Sequence, residues 1–458
     1  MKHLSFLLIL CSSLQLHAEV KLPAIFSDHM ILQRNVEVPV WGWADAGEKV
    51  SISFGGKTTS TVADKDGKWS AKLAKLSASA APRELNVKGS NEIKLNNVLV
   101  GDIWICSGQS NMEWPLSRSS KQAKEVAASQ KTNQQLRLFR IPKHIKSNEP
   151  AEDTEGTWKT TENEADCLSF SGCGMFFGIK LQQDLDIPIG LIDTSWGGTP
   201  VDQWISNKAY KTYLKKERKN SIYNGMVAPL VPFAIKGAIW YQGESNRGNP
   251  FPEYFTKMDA LITGWREDFQ VGDFPFYQVQ IAPYKYNKKK PGDDETLCRN
   301  IWASQFKAAK EIKNCGVVPI HDTINGNIMD IHPWDKKPVG ERLASLALKN
   351  DYGKDVAHTG PSFASAKASS GNVTVTFSDT NQGLTTTDNK APSHFEVAGE
   401  DQVFSPAAAA IKGNTVIVSS ETVKSPKFVR MGWLEVSVPN LADKNGWPVF
   451  QFAAQEVK

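Results

Sequence analysis

The stretch GDIWICSGQSNMEWPL, residues 101–116, decides how the chain is to be read. Its apolar run Ile103-Trp104-Ile105-Cys106 predicts a buried strand that stops at Ser107-Gly108 and delivers Gln109-Ser110-Asn111-Met112. In an open α/β sheet that order puts the Ser110 hydroxyl just past the C-terminal edge of a strand, where ligands bind, with the N–H groups of the next turn facing a developing oxyanion. A serine after a strand is more commonly a cap or turn residue, so its company further along must carry the weight. Met112 stands where the Gly-x-Ser-x-Gly elbow needs its second glycine, which argues against the usual α/β-hydrolase arrangement.

Working outward, strand and helix patterns alternate from Val98 to Tyr352. Val98–Cys106, Ile189–Asp193, Ala234–Trp240, Phe274–Ile281 and Val317–Asp322 read as strands; Ser119–Lys131, Phe176–Leu185, Glu253–Asp268, Ile301–Lys313 and Lys337–Tyr352 read as helices. Such alternation predicts a mainly parallel sheet with helices on both faces, and active groups gathered at the strand C-termini. Before it, residues 19–97 look all-β: Val36–Trp43, Val50–Phe54 and Ile93–Leu95 alternate apolar with polar and are punctuated by Gly55-Gly56 and Asp64–Gly67. After it, residues 353–458 return to short β pieces such as Val373–Phe377 and Val416–Val418, with turns at Gly413-Asn414 and Asp379–Gln382. The expected division is therefore 19–97, 98–352 and 353–458, an α/β domain between two β-sandwich-like ones.

Residues 1–18 combine Lys2-His3, the largely apolar run Leu4–Leu10 and Leu16-His17-Ala18, which predicts a secretory signal cut before Glu19. Leu10 precedes Cys11, so a lipid anchor is not expected, and no later stretch is apolar for long enough to span a bilayer. The expected product is exported, to the periplasm or beyond. A formal charge of +4 on 458 residues, with no basic cluster interleaved with aromatics, argues against nucleic acid as a partner. Lys288-Lys289-Lys290 beside Pro291-Gly292 reads as a solvated loop. Of the six cysteines, Cys11 leaves with the signal, so one of the remaining five must stay unpaired. Cys167 with Cys173 and Cys298 with Cys315 are the local pairs an oxidising compartment permits, with Cys106 the buried free thiol. No Cys/His spacing suggests zinc, and no cofactor is implied.

Four strand ends share a composition that core packing does not require. Ser110 is flanked by Gln109, Asn111, Glu113 and Trp114; Asp193-Thr-Ser-Trp-Gly197-Gly198 pairs two glycines; Gln242-Gly243-Glu244-Ser-Asn246 follows an apolar run; Asp330-Ile331-His332-Pro333 lies just before a helix. Each has a plainer reading as a turn, a cap or a solvated histidine. Together they supply the kit for acyl transfer. Ser110 would be the nucleophile and His332 its base, while Asp330 would orient the imidazole. The N–H of Ser110, that of Gly197 or Gly198 and the Gln242 amide would hold the oxyanion, with Glu244 in support. Gln109, Asn111, Trp114 and Asn246 are the expected substrate contacts. Fourteen tryptophans also suit a surface that stacks on sugar rings, and a non-catalytic carbohydrate-binding protein is the reading from another class.

Gly-Gln-Ser-Asn-Met at 108–112, Thr-Ser-Trp-Gly-Gly-Thr-Pro-Val-Asp-Gln-Trp at 194–204, Tyr-Asn-Gly-Met at 223–226, Trp-Tyr-Gln-Gly-Glu-Ser-Asn at 240–246, Asp-Ile-His-Pro at 330–333 and Val429–Trp433 resemble the sialate O-acetylesterases of the SGNH-hydrolase superfamily. The resemblance spans roughly residues 20 to 450. It implies a three-layer α/β/α catalytic domain flanked by β domains, acting on O-acetylated sugars without a metal or cofactor, with acetylxylan or another acetylated polysaccharide as the alternative substrate. Two departures stand out. Many SGNH enzymes carry Asp three residues before His, where this chain has Met329; Asp330, a backbone carbonyl or Asp322 then compete for the third position. Relatives often carry arginine three residues before Gln305, where this chain has Trp302, a change that favours neutral sugars if that arginine reads an acidic one.

Overall fold

The computed structural model describes residues 19–142, 145–286, 297–324, 326–369 and 371–458. The expected signal at 1–18, Cys11 and the Lys288–Gly292 tract lie outside the described residues. One strand joins two sheets. This strand, β1 (Glu92–Gly108), is exposed at alternate positions in its first turns and buried without interruption from Val98 onward. Its first part pairs antiparallel with the strand Ser79–Lys88, and its last part pairs parallel with two neighbours at once. The boundary expected at 97/98 therefore falls inside a continuous strand. Pairing within the N-terminal sheet continues past Asn97 (φ 54°) as far as Gly101, and pairing with the parallel neighbours begins at Asp102.

The remaining parallel strands are β2 (Leu136–Arg140), β3 (Ile189–Ser195), β4 (Gly237–Tyr241), β5 (Phe276–Val279) and β6 (Cys315–Val318), in the spatial order β2-β3-β1-β4-β5-β6. The short strand Lys159–Thr160 pairs antiparallel with β2, which makes the sheet mixed. From β1 the chain places β2 two positions away, fills the gap with β3, and then crosses to the other side of β1 to add β4, β5 and β6 in turn. β1 is thus the switch point, and the C-terminal ends of β1, β3 and β4 open a crevice between diverging loops.

Strand periodicity sends alternate side chains into two separate cores. Ile103 and Ile105 of β1, Ile192 of β3 and Trp240 of β4 pack with Tyr254, Met258 and Trp265 of the helix Glu253–Phe269 and Trp302 of the helix Leu297–Glu311. Trp104, Cys106, Leu191 and Ile239 face the other way, onto Phe176, Phe177 and Leu181 of the helix Gly172–Leu185 and Leu343 of the helix Lys337–Tyr352. Full burial of each such side chain contributes about 1.5–3 kcal/mol, so the uninterrupted apolar run of β1 is what anchors the sheet. The N-terminal strands, among them Val38–Trp43 and Lys49–Phe54, share the first of these cores. The C-terminal residues form two four-stranded antiparallel sheets around a third core that includes Val375, Val397, Val418 and Phe452.

Several expected elements shift at their ends for local reasons. The strand expected at Val317–Asp322 ends at Val318, where Pro319 removes a ladder donor, and His321–Ile324 forms a single tight turn. The helix expected at Ser119–Lys131 shortens to Ala123–Ser129. Both expected disulfide pairs are corrected: Cys106, Cys167, Cys173, Cys298 and Cys315 are all free. Cys167 and Cys173 turn to different acceptors, the Thr161 and Asn111 carbonyls, each 3.7 Å away. Cys315 meets the Gln278 side-chain amide instead of Cys298. Among the described residues no helix is long and apolar enough to cross a membrane.

Candidate active site

β1 ends at Gly108, which adopts φ 135° beside the end of β4. A Cβ there would stand 2.2 Å from the Tyr241 carbonyl oxygen, so glycine is what lets these two strand ends lie together. The chain then turns at once into the single helical turn Ser110–Glu113. Ser110 Oγ lies 2.9 Å from His332 Nε2, although 222 residues separate them in sequence. The indole of Trp114 stacks on the imidazole, with centroids 4.7 Å apart and planes 15° from parallel. Burial, and then the Lys336 ammonium, hold the His332 pKa below its ordinary value against the opposing pull of Asp330. At neutral pH the ring is therefore uncharged, the form that accepts a proton.

The Asp330 carboxylate accepts a hydrogen bond from the backbone N–H of His332 at 2.9 Å, so its described bond supports the loop rather than the ring. Asp322 is committed elsewhere: both its oxygens accept from Arg342, at 2.7 and 2.6 Å. Asn111 is buried and donates to Glu244 Oε1 at 2.6 Å and to the Ile331 carbonyl at 2.9 Å. Its own amide oxygen accepts from Lys336 Nζ at 2.6 Å. Lys336 escaped the sequence reading because a lysine followed by another lysine reads as solvated surface. Nothing in its own sequence neighbourhood marks it as buried.

The two expected oxyanion loops reach different residues: the Gly197 loop lies beside Ser110 and Glu113, and the Gln242 loop reaches Gln109 and, through Glu244, Asn111. Gly197 N–H donates to Glu113 Oε2 at 2.6 Å, and a Cβ on Gly197 would lie 3.2 Å from that of Ser110. Gly198, at φ 76°, is exposed with open space at its Cβ position. The Gln242 amide nitrogen lies 2.7 Å from Asn246 Oδ1, 3.1 Å from Gln109 Oε1 and 3.2 Å from the Thr199 carbonyl. Both its hydrogens thus have protein acceptors, while Tyr254 donates to its oxygen at 2.8 Å. Gln109, Asn111 and Asn246 are all buried in these networks. Of the four expected substrate contacts, Trp114 is the one that lines the cavity of about 520 Å³ over Ser110 and His332.

That cavity is also bordered by Arg118, Arg140 and Ser169. Arg140 is tied to Asp193 at 3.2 Å, whereas the Arg118 guanidinium sits over the Trp114 ring, 5.6 Å from its centroid. Trp302, one of the two departures from the family pattern, is fully buried; it donates to the Ile281 carbonyl and packs edge-on to Trp433. A second cavity, of about 340 Å³, opens at the opposite sheet edge among Arg34, Asp102 and Lys236. Its charges meet in ion pairs such as Arg34–Asp102 at 2.9 Å, and no serine, cysteine or histidine is among the described residues that line it.

A mainly parallel sheet with its crevice at the switch point, and a serine hydroxyl in hydrogen-bond contact with an imidazole there, form an arrangement suited to acyl transfer. Residues 100–349 match the family described as carbohydrate esterase, sialic acid-specific acetylesterase, and the chain belongs to that family. It is a carboxylic ester hydrolase. The sialate O-acetylesterase of Homo sapiens is 28% identical over 389 residues, 73% of this chain and 72% of that protein. The sialate O-acetylesterase of Rattus norvegicus is 27% identical over 407 residues, 73% of this chain and 74% of that one. The crystal structure of a carbohydrate acetylesterase from Xanthomonas citri matches with a TM-score of 0.86 at 34% identity, covering 95% of this chain and 99% of that one.

Proposed function

We propose that the chain is an exported serine esterase that removes O-acetyl groups from carbohydrates, sialate O-acetyl groups foremost. The observation that carries this reading is the 2.9 Å contact between Ser110 Oγ and His332 Nε2 over the edge of the sheet. In the reaction, His332 Nε2 takes the hydroxyl proton as Ser110 Oγ bonds to the acetyl carbonyl carbon. Collapse of the tetrahedral intermediate breaks the bond to the sugar oxygen, which leaves with that proton. Water then adds to the acetyl-enzyme, giving its proton to His332, and acetate departs as Ser110 regains its hydrogen. The N–H groups of Ser110 and Gly198 are the proposed oxyanion donors, because Glu113 already occupies that of Gly197. Gln242, Glu244, Gln109, Asn111 and Asn246 support them from behind. The catalytic unit, residues 98–352, would be of SGNH type, with β-sandwich-like domains at 19–97 and 353–458 and a signal removed at 1–18.

Asp330 acts in this scheme through the loop and through its charge. Asp330→Asn keeps an acceptor for the His332 amide and is expected to lower kcat/KM at pH 7 by about tenfold or less. An orienting carboxylate bonded to the ring would cost ~10⁴-fold on the same substitution. Steady-state rates on p-nitrophenyl acetate separate the two cases.

Substrate choice is tested by acetate release from O-acetylated sialic acid and from acetylated xylan. Arg118 at the cavity rim is a cation suited to the carboxylate of an acidic sugar. At least about tenfold higher kcat/KM is expected on the sialate, since a charge-assisted hydrogen bond contributes about 1.5–3 kcal/mol. The reverse preference would assign the chain to polysaccharide deacetylation.

A further inference from the structure

We infer that Lys336, clamped through Asn111 to Glu244, is a positioning residue of the esterase site that ties the His332 loop to the nucleophile and keeps a positive charge behind the imidazole. The inference rests on the Ser110–His332 reading above. Lys336 is fully buried, and its ammonium reaches Asn111 Oδ1 at 2.6 Å. That contact and the one to Glu244 Oε1 fix which way the Asn111 amide points: oxygen to the cation, nitrogen to the carboxylate. The nitrogen then also reaches the Ile331 carbonyl at 2.9 Å. Asn111 directly follows the nucleophile and Ile331 directly precedes the base, so one side chain, with its orientation set by two buried charges, connects the two reacting residues.

Stability alone does not favour this construction. Burying an ammonium and a carboxylate is costly, and here they meet through an amide instead of a direct bidentate pair. Glu244 Oε2 is buried with no hydrogen-bond partner among the described residues. The Lys336 Nζ sits 5.1 Å from the centroid of the Tyr241 ring, whose hydroxyl is also buried and without a hydrogen-bond partner among the described residues. The groups facing Lys336 are Cys173 from the helix Gly172–Leu185, Glu244 from the loop after β4, and Asp330 and Asp335 from its own loop. Those facing His332 are Lys336 and Asp330. Burial pushes the Lys336 pKa down to about 8 and that of Glu244 up, which leaves the lysine charged at neutral pH and able to disfavour an imidazolium beside it.

The test is the acid limb of kcat/KM against pH on p-nitrophenyl acetate for the full chain and for Lys336→Arg, Lys336→Gln and Lys336→Met, with Ser110→Ala alongside. The unaltered enzyme is expected to show a limb below the ordinary imidazole value of about 6.5. Lys336→Gln and Lys336→Met should move it up by about 0.5 to 1 pH unit, and Lys336→Arg should leave it in place. Lys336→Gln keeps a donor for Asn111 and carries the test if Lys336→Met does not fold. A folded Lys336→Gln enzyme with an unmoved limb overturns the inference; so does a limb at or above about 6.5 in the unaltered enzyme, which needs no variant at all. Retained turnover in Ser110→Ala would instead overturn the underlying mechanism, whatever the lysine variants show.

Discussion

Ser110→Ala is expected to reduce kcat for ester hydrolysis by on the order of 10⁵- to 10⁶-fold, with KM little changed and the fold intact. The size follows from what the hydroxyl supplies: without Oγ no acetyl-enzyme forms, and the rate falls to what oxyanion donors and binding alone provide, about 10³- to 10⁴-fold over water. Such a loss corresponds to about 7–8 kcal/mol of transition-state stabilisation. The structure gives little reason for a stability change. Ser110 is only partly buried, its described side-chain bond is to His332, and alanine fits the turn that Gly108 sets up. Stopped-flow release of p-nitrophenol should show an acetylation burst in the unaltered enzyme and none in the variant. A thermal unfolding midpoint within a few degrees of the original would show that only the chemistry is lost. A variant that hydrolysed at a tenth of the original rate would place the nucleophile elsewhere.

The site was legible where chemistry and local sequence coincide. Gly108 and Ser110 follow an apolar run long enough to predict a central strand, the loops bearing Gly197-Gly198 and Gln242 follow strands with polar residues that no core needs, and His332 lies in a polar loop just before a helix. The inner wall of the site was not legible, because it depends on partners distant in sequence. Asn111 and Asn246 carry no local mark of burial, and their amides are spent on protein groups. Strand β2 carries no clear sequence signal, because Arg137 interrupts its apolar pattern. That guanidinium is nonetheless buried, and desolvation lowers its pKa to about 10. The division expected at 97/98 lies within one strand, because β1 runs on from the N-terminal sheet into the parallel one. The cysteines pair plausibly by spacing, yet Cys167 and Cys173 reach separate backbone carbonyls.

His332→Ala is expected to cost nearly as much as Ser110→Ala, and the double variant to be scarcely worse than either single one. When a nucleophile and its base work as one unit, removing either disables both, so the two losses do not add. Independent contributions of about 10⁵-fold each would predict a double variant many orders of magnitude below either single one. The geometry supports the coupled outcome, since the described side-chain hydrogen bond of each residue is the one it makes to the other. The alanine variant also leaves space beside the Trp114 indole, whose face the imidazole now covers at 4.7 Å. Added imidazole should therefore enter and restore a measurable part of the rate, rising with the concentration of its uncharged form. That recovery should appear in His332→Ala and be absent from His332→Ala combined with Ser110→Ala, because a rescued base still needs a hydroxyl to deprotonate. Strictly additive losses, or rescue that ignores Ser110, would mean that the two side chains touch without sharing the proton.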